Sequence, residues 1–157
     1  MVRKLVFPAL TNLGCIAALG IALGTITDRQ ISASSKLDNT HSAAQARLHS
    51  KAVGSKYGAW SAHENDHHQW LQIDFGSSTT ITRLATQGRN GFNKWVTKYN
   101  LSYSDDGVHF HFYKMMGESR AKVYQQTELQ FGFLTVYKVL DAAVIRRQLC
   151  YYAFQQS

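Results

Sequence analysis

Four histidines stand in two tight pairs, His67 beside His68 and His109 two residues from His111. Near them lie Trp60, Trp70, Trp95 and the adjacent carboxylates Asp105 and Asp106. Imidazoles two apart on a strand share a face and could hold zinc, given a third ligand and an open position. Neighbouring carboxylates could share acid–base work. Exposed indoles could stack on sugars. Each reading meets an obstacle. No Cys or Glu stands at metal-ligand spacing from His109 and His111, and His67 and His68 would point to opposite sides of any strand. Asp105-Asp106-Gly107 has the composition of a tight turn, where aspartates shape backbone rather than move protons. Ser61 and His63 lie close together without a third orienting group. No GxSxG, HExxH or glycine-rich phosphate loop occurs. The expectation is a protein that is not an enzyme and uses no metal and no cofactor.

Length and composition set the scale of what must position these residues. The 157 residues suffice for one domain with its own core. With 45% hydrophobic residues and one proline the chain is not of disordered composition. The net charge of +7 is spread along the chain, with no run of five Lys or Arg. That argues against nucleic acid as a partner and favours anionic surfaces, such as acidic headgroups or sulfated glycans. Cys15 and Cys150 show no CxxC spacing. They would form one disulfide if the chain is secreted, with two free thiols as the alternative. The first 24 residues also read two ways. Arg3 and Lys4 before an apolar stretch resemble a signal peptide. The alternative makes Cys15 the start of the folded domain. Pro8, Thr11 and Asn12 make the stretch a poor membrane span.

Alternation then points to strands. Residues 25–35 read as a short strand ending in a polar turn, and 36–62 as surface loops. QWLQIDF, residues 69–75, alternates and is followed by a Gly-Ser-Ser turn. Strands are expected again over 79–88, 95–104 and 108–116, separated by the Asn-Gly loop at 89–94 and the Asp-Gly turn. Trp70, Ile73, Phe75, Ile81, Leu84, Leu101, Tyr103 and Phe110 are the expected core. Trp60 is expected at a loop base, and Trp95 at the core or its rim. Residues 140–149, LDAAVIRRQL, form the one helix candidate. Short strands with frequent turns describe an antiparallel sandwich or barrel.

Six segments in order carry a more specific signal: ITDRQISASS (26–35), ARLHS (46–50), GAWSA (58–62), NDHHQWLQIDFGSSTTITRLATQGR (65–89), WVTKYNLSYSDDGVHF (95–110) and KVY (122–124). Together they resemble the coagulation factor 5/8 type C, or discoidin, domain over residues 15–124. The resemblance implies an all-β fold, a distorted jelly-roll β-sandwich. Cys15, Leu19-Gly20-Ile21, Gly24, Ile26 and Asp28 are similar to the family's opening pattern, which favours Cys15 as the domain start and leaves 1–14 as a leader or signal-like stub. After Tyr124 the pattern stops. Residues 125–157 read as an atypical tail, so the sandwich is expected to be incomplete at the C-terminus or completed by foreign strands. That also puts the Cys15–Cys150 pairing in question.

Family members bind ligands through loops at one end of the sandwich. The matching loops here are 36–45, 51–59 and 89–94. The first offers Lys36, Leu37, Asp38, Asn39, Thr40 and His41. The second offers Lys56 and Tyr57, with Lys51 adding charge, and the third Arg89, Asn90, Phe92 and Lys94. The resemblance implies an extracellular adhesion or recognition module, secreted or part of a cell-surface protein. Its partner would be a cell-surface glycan or a receptor protein. Anionic phospholipid is the alternative, through the apolar tips Leu37 and Phe92 beside basic neighbours. Merely solvated loops, or a non-functional fragment of a larger adhesion protein, are the plainer alternatives.

Overall fold

In a computed structural model of the chain, the described residues are 19–125 and 138–156. Six strands follow in order: β1 (Ile31–Ala33), β2 (Gln69–Leu84), β3 (Val96–Ser104), β4 (His111–Phe112), β5 (Val123–Gln125) and β6 (Lys138–Gln156). The sheet order is β1-β2-β6-β3-β4, with β5 also paired to β3. Every pairing is antiparallel.

The central strand is the surprise. Residues 140–149, expected as a helix, lie in the middle of β6. The backbone of Tyr151 in β6 faces Leu71 of β2 on one side and Leu101 of β3 on the other. A helix there would leave both inner edges without hydrogen-bond partners, so pairing overrides local periodicity. Residues 1–14, expected as a leader or signal-like stub, Cys15 and residues 126–137 lie outside the described residues, and with Cys15 the question of its pairing with Cys150.

Two turn signals resolve differently. The Gly-Ser-Ser stretch after Phe75 does not reverse the chain. β2 runs through it, and its register against β6 shifts between Asp74 and Thr79. Gly76 adopts φ +75 there, and its N–H donates to Asp74 Oδ1 at 2.7 Å. The glycine serves a bulge. The strand expected over 108–116 shrinks to His111–Phe112. Asp106 Oδ1 accepts the N–H groups of both Val108 and His109, at 2.8 Å each, which commits those donors to a turn.

The core has two parts. Ile81, Tyr99, Leu101, Tyr113 and Tyr124 form one buried cluster, with Phe75, Leu84 and Tyr103 packed against it. Ile26, Ile31 and Ile73 form the other, and Phe75 touches both. Trp70 and Phe110, expected in the core, are half-buried and belong to neither cluster. Gln69 is buried in place of its neighbour. Its Oε1 accepts from Ser34 Oγ at 2.8 Å and Ser35 Oγ at 2.6 Å, and its Nε2 donates to Asp66 Oδ1 at 2.8 Å. A buried amide is tolerated once its donors and acceptor are satisfied.

The topology decides which loops meet. β2 and β3 both run antiparallel to β6, so they run parallel to each other. The connection 85–95 must therefore return to the end of the sheet where β2 begins. β1 ends at that same end, because Ala33 faces Leu71. All loops between β1 and β2 thus share one end with residues 89–94. The Asp105–His109 turn, after β3, lies at the other end.

Candidate functional site

Asp38 organises the first loop. Its Oδ1 accepts from Thr40 N at 2.7 Å, Thr40 Oγ1 at 2.5 Å and His41 N at 3.1 Å, and lies 2.9 Å from His41 Nδ1. This caps a short 3₁₀ turn, Asn39–His41, and fixes the imidazole, which is buried. The Thr40 hydroxyl first, and the His41 ring second, push the Asp38 carboxyl down to about 2. Lys36 Nζ donates to Asn39 Oδ1 at 2.8 Å. Leu37 N donates to Ser61 O at 2.8 Å and leaves its side chain exposed.

The second loop is tied to the first through its backbone. Tyr57 N donates to Thr40 O at 3.2 Å, and Gly58 N to Gln45 Oε1 at 3.3 Å. The ends of the third loop close on each other, with Arg89 N donating to Lys94 O at 2.9 Å. Its tip passes through Gly91 at φ +76, the backbone that the Asn-Gly signal implies.

These loops assemble a row of flat side chains. His41 stacks on Tyr57, with ring centroids 4.9 Å apart and planes 8° apart. The Arg89 guanidinium carbon lies 4.8 Å from the Tyr57 centroid and 3.8 Å from that of Phe92. Tyr57 is 42% exposed and Phe92 48%, so the row is open to a ligand. Arg89 Nε is buried without a hydrogen-bond partner. Four of the expected residues, His41, Tyr57, Arg89 and Phe92, are therefore in one contiguous group. Lys36, Asp38, Asn39 and Thr40 support its first loop. Leu37, Lys56, Asn90 and Lys94 are exposed on the same three loops, outside the row itself. The sequence reading passed over Gln45, which holds Gly58, and Gln87, whose Oε1 accepts from His49 N at 2.9 Å. An isolated glutamine carries no spacing signal that would mark it as a clasp.

The histidine pairs separate. His67 and His68 precede β2 at the end that holds the row, whereas His109 and His111 follow β3 at the other. His109 Nδ1 lies 2.6 Å from Asp106 Oδ2, and His111 faces Tyr103. Among the described residues no group of three His, Cys, Asp or Glu could hold a metal ion. Trp60 Nε1 donates to Ser35 O at 2.9 Å, which fixes it at the base of the loops.

Acid should destabilise the domain at both ends of the sheet. The contacts that lower Asp38 from 3.8 to about 2 contribute stability above its ordinary value, and this is lost as pH falls through that window. Asp106, held below the ordinary range chiefly by the His109 ring, and Asp66, lowered mainly by the His68 N–H, act in the same direction. An acid titration of Tm should fall below about pH 4, and Asp38→Asn should flatten part of the slope. A Tm unchanged down to pH 2 would contradict these contacts.

The sequence profile of the F5/8 type C domain matches residues 30–140, which hold all three loops. The chain belongs to the F5/8 type C domain family. Bovine (Bos taurus) lactadherin is 37% identical to this F5/8 type C domain over 119 residues, covering 71% of the chain and 27% of that protein. The human (Homo sapiens) EGF-like repeat and discoidin I-like domain-containing protein 3 is 38% identical over 120 residues, 71% of the chain and 24% of that protein. The chain thus spans about a quarter of the length of these relatives. Discoidin II of Dictyostelium discoideum superposes with a TM-score of 0.66 at 17% identity, over 81% of this chain and 50% of that one. A family 32 CBM from C. perfringens, solved in complex with galactose, gives 0.58 at 17% identity, over 80% and 81%. These likenesses show the fold to be the expected jelly-roll sandwich of the F5/8 type C domain. No helix among the described residues is long and apolar enough to cross a membrane.

Proposed function

We propose that this domain is a non-catalytic extracellular recognition module that binds cell-surface glycan through the His41–Tyr57–Arg89–Phe92 row. The observation that carries the reading is the Arg89 guanidinium, held against two half-open aromatic rings where the three loops meet. A sugar presents an apolar C–H face and a rim of hydroxyls. An exposed ring beside fixed polar donors complements both. The galactose complex of the structurally similar C. perfringens module supports the same class of ligand. The body expected over residues 15–124, together with β6, would form the recognition unit, and Asn90 and Asn39 would line its rim.

Leu37 and Phe92, each 48% exposed beside Lys36 and Lys94, favour a second reading, attachment to anionic lipid. One experiment separates the two. The chain, Arg89→Gln and a Leu37→Ala/Phe92→Ala double variant are tested on a glycan panel and on phosphatidylserine vesicles. Glycan binding should weaken at least about tenfold in Arg89→Gln, the loss expected for a charge-assisted hydrogen bond. Vesicle binding that survives Arg89→Gln but is abolished in the double variant would instead assign the loops to lipid. A chain that melts cooperatively yet binds no glycan defeats the glycan reading.

A further inference from the structure

The three loops carry five cations, Lys36, Lys51, Lys56, Arg89 and Lys94, against one carboxylate, Asp38. That carboxylate is spent inside its own loop, on the backbone and side chains of Thr40 and His41. It pairs with none of the lysines. Arg89 is in a more telling state. Tyr57 and Phe92 cover its guanidinium, and among the described residues its side-chain N–H groups meet no acceptor. The buried Nε is closed to a ligand, so the donors left in the plane for one are those of the two terminal Nη groups. The stacked rings also hold the fork rigid at no further entropic cost on binding. A planar fork with no partner matches two oxygens of one anionic group. The hydroxyls of a neutral sugar would take those donors less strongly and leave the surrounding lysines uncompensated.

We infer that the site takes an acidic saccharide, a pyranose bearing a sulfate or carboxylate that docks on Arg89 while the ring lies against Phe92. The inference rests on the glycan reading above and adds the anionic group to it. Lys56, exposed on the second loop, and Lys94, exposed at the end of Arg89's own loop, raise the local concentration of such ligands and speed their arrival.

The test compares probes that differ only in charge: O-sulfated galactose against galactose, and chondroitin sulfate against desulfated chondroitin, titrated into the full chain. The acidic member of each pair should bind roughly ten- to a hundredfold more tightly, and its advantage should shrink as salt is raised. Arg89→Lys keeps the charge but loses the fork, and should lose most of the preference. Should that variant unfold, Lys56→Gln/Lys94→Gln alters only exposed side chains and should still reduce the preference. Equal, salt-insensitive affinity within both pairs overturns the acidic preference and leaves the glycan reading intact. No binding to any probe by a chain that melts cooperatively overturns both. Binding to phosphatidylserine vesicles that sulfated galactose does not compete away also overturns it, in favour of lipid.

Discussion

Leu101→Ala should destabilise the domain by about 2–5 kcal/mol, the range for truncating a fully buried leucine. Leu101 is 1% exposed and sits in the cluster with Ile81, Tyr99, Tyr113 and Tyr124. Its carbonyl also accepts from Tyr113 N at 2.9 Å, so β3 holds the neighbouring segment by backbone as well as by packing. The strand can adjust little around the cavity. β6 pairs along one side of it, and on the opposite face Ser102 and Ser104 are themselves buried. Domains of this size are stable by about 5–15 kcal/mol, so the loss is a large share of the total. Urea denaturation reads it as a lower midpoint at unchanged slope. Val108→Ala, at a position 74% exposed, is the control and should stay within about 0.5 kcal/mol of the parent. Equal midpoints for the two variants would mean that Leu101 is not at the centre of the core.

Gly58→Ala should cost about 2–4 kcal/mol, far more than an ordinary glycine-to-alanine change. Two effects add. Gly58 holds φ +66, which an L side chain adopts only with strain. A Cβ there would also stand 2.6 Å from the Lys51 carbonyl carbon and 2.9 Å from the oxygens of Lys51 and Ser50. These are backbone atoms and cannot rotate away. Gly54→Ala separates the two effects. Gly54 has a similar φ, +59, but a Cβ would meet nothing within 4 Å, so the cost should be only about 1 kcal/mol. The loop must shift to relieve the Gly58 clash, and Tyr57 shifts with it. Near-ultraviolet circular dichroism should therefore change in Gly58→Ala at temperatures where the protein is still folded, and any glycan affinity of the proposed site should fall with it. A Gly58→Ala variant no less stable than Gly54→Ala would show that the Lys51 backbone is not in contact.

The order of apolar residues in QWLQIDF, the Asn-Gly loop and the Asp-Gly turn determine an all-β chain by themselves, because alternation and turn chemistry are local properties. The six segments from Ile26 to Tyr124 likewise determine the family, and with it the three loops. What lay beyond local pattern was decided by pairing. Residues 140–149 have a helical period, yet they are strand, because the inner edges of β2 and β3 needed partners. Hydrophobicity favoured Trp70 for the interior, but alternation places Gln69, not Trp70, on the face of Ile73 and Phe75. The choice fell to Gln69 because Ser34, Ser35 and Asp66, distant or neighbouring in sequence, satisfy its amide there. The same holds for the site. The sequence supplies Arg89 as one binding candidate of a basic loop, with nothing local to set it apart from Lys94. Only the return of the 85–95 crossover to the end where β1 stops brings Arg89 against Tyr57, some thirty residues earlier, and leaves its donors without an acceptor. Contacts between residues far apart in the chain depend on strand direction and register, and no window of sequence contains them.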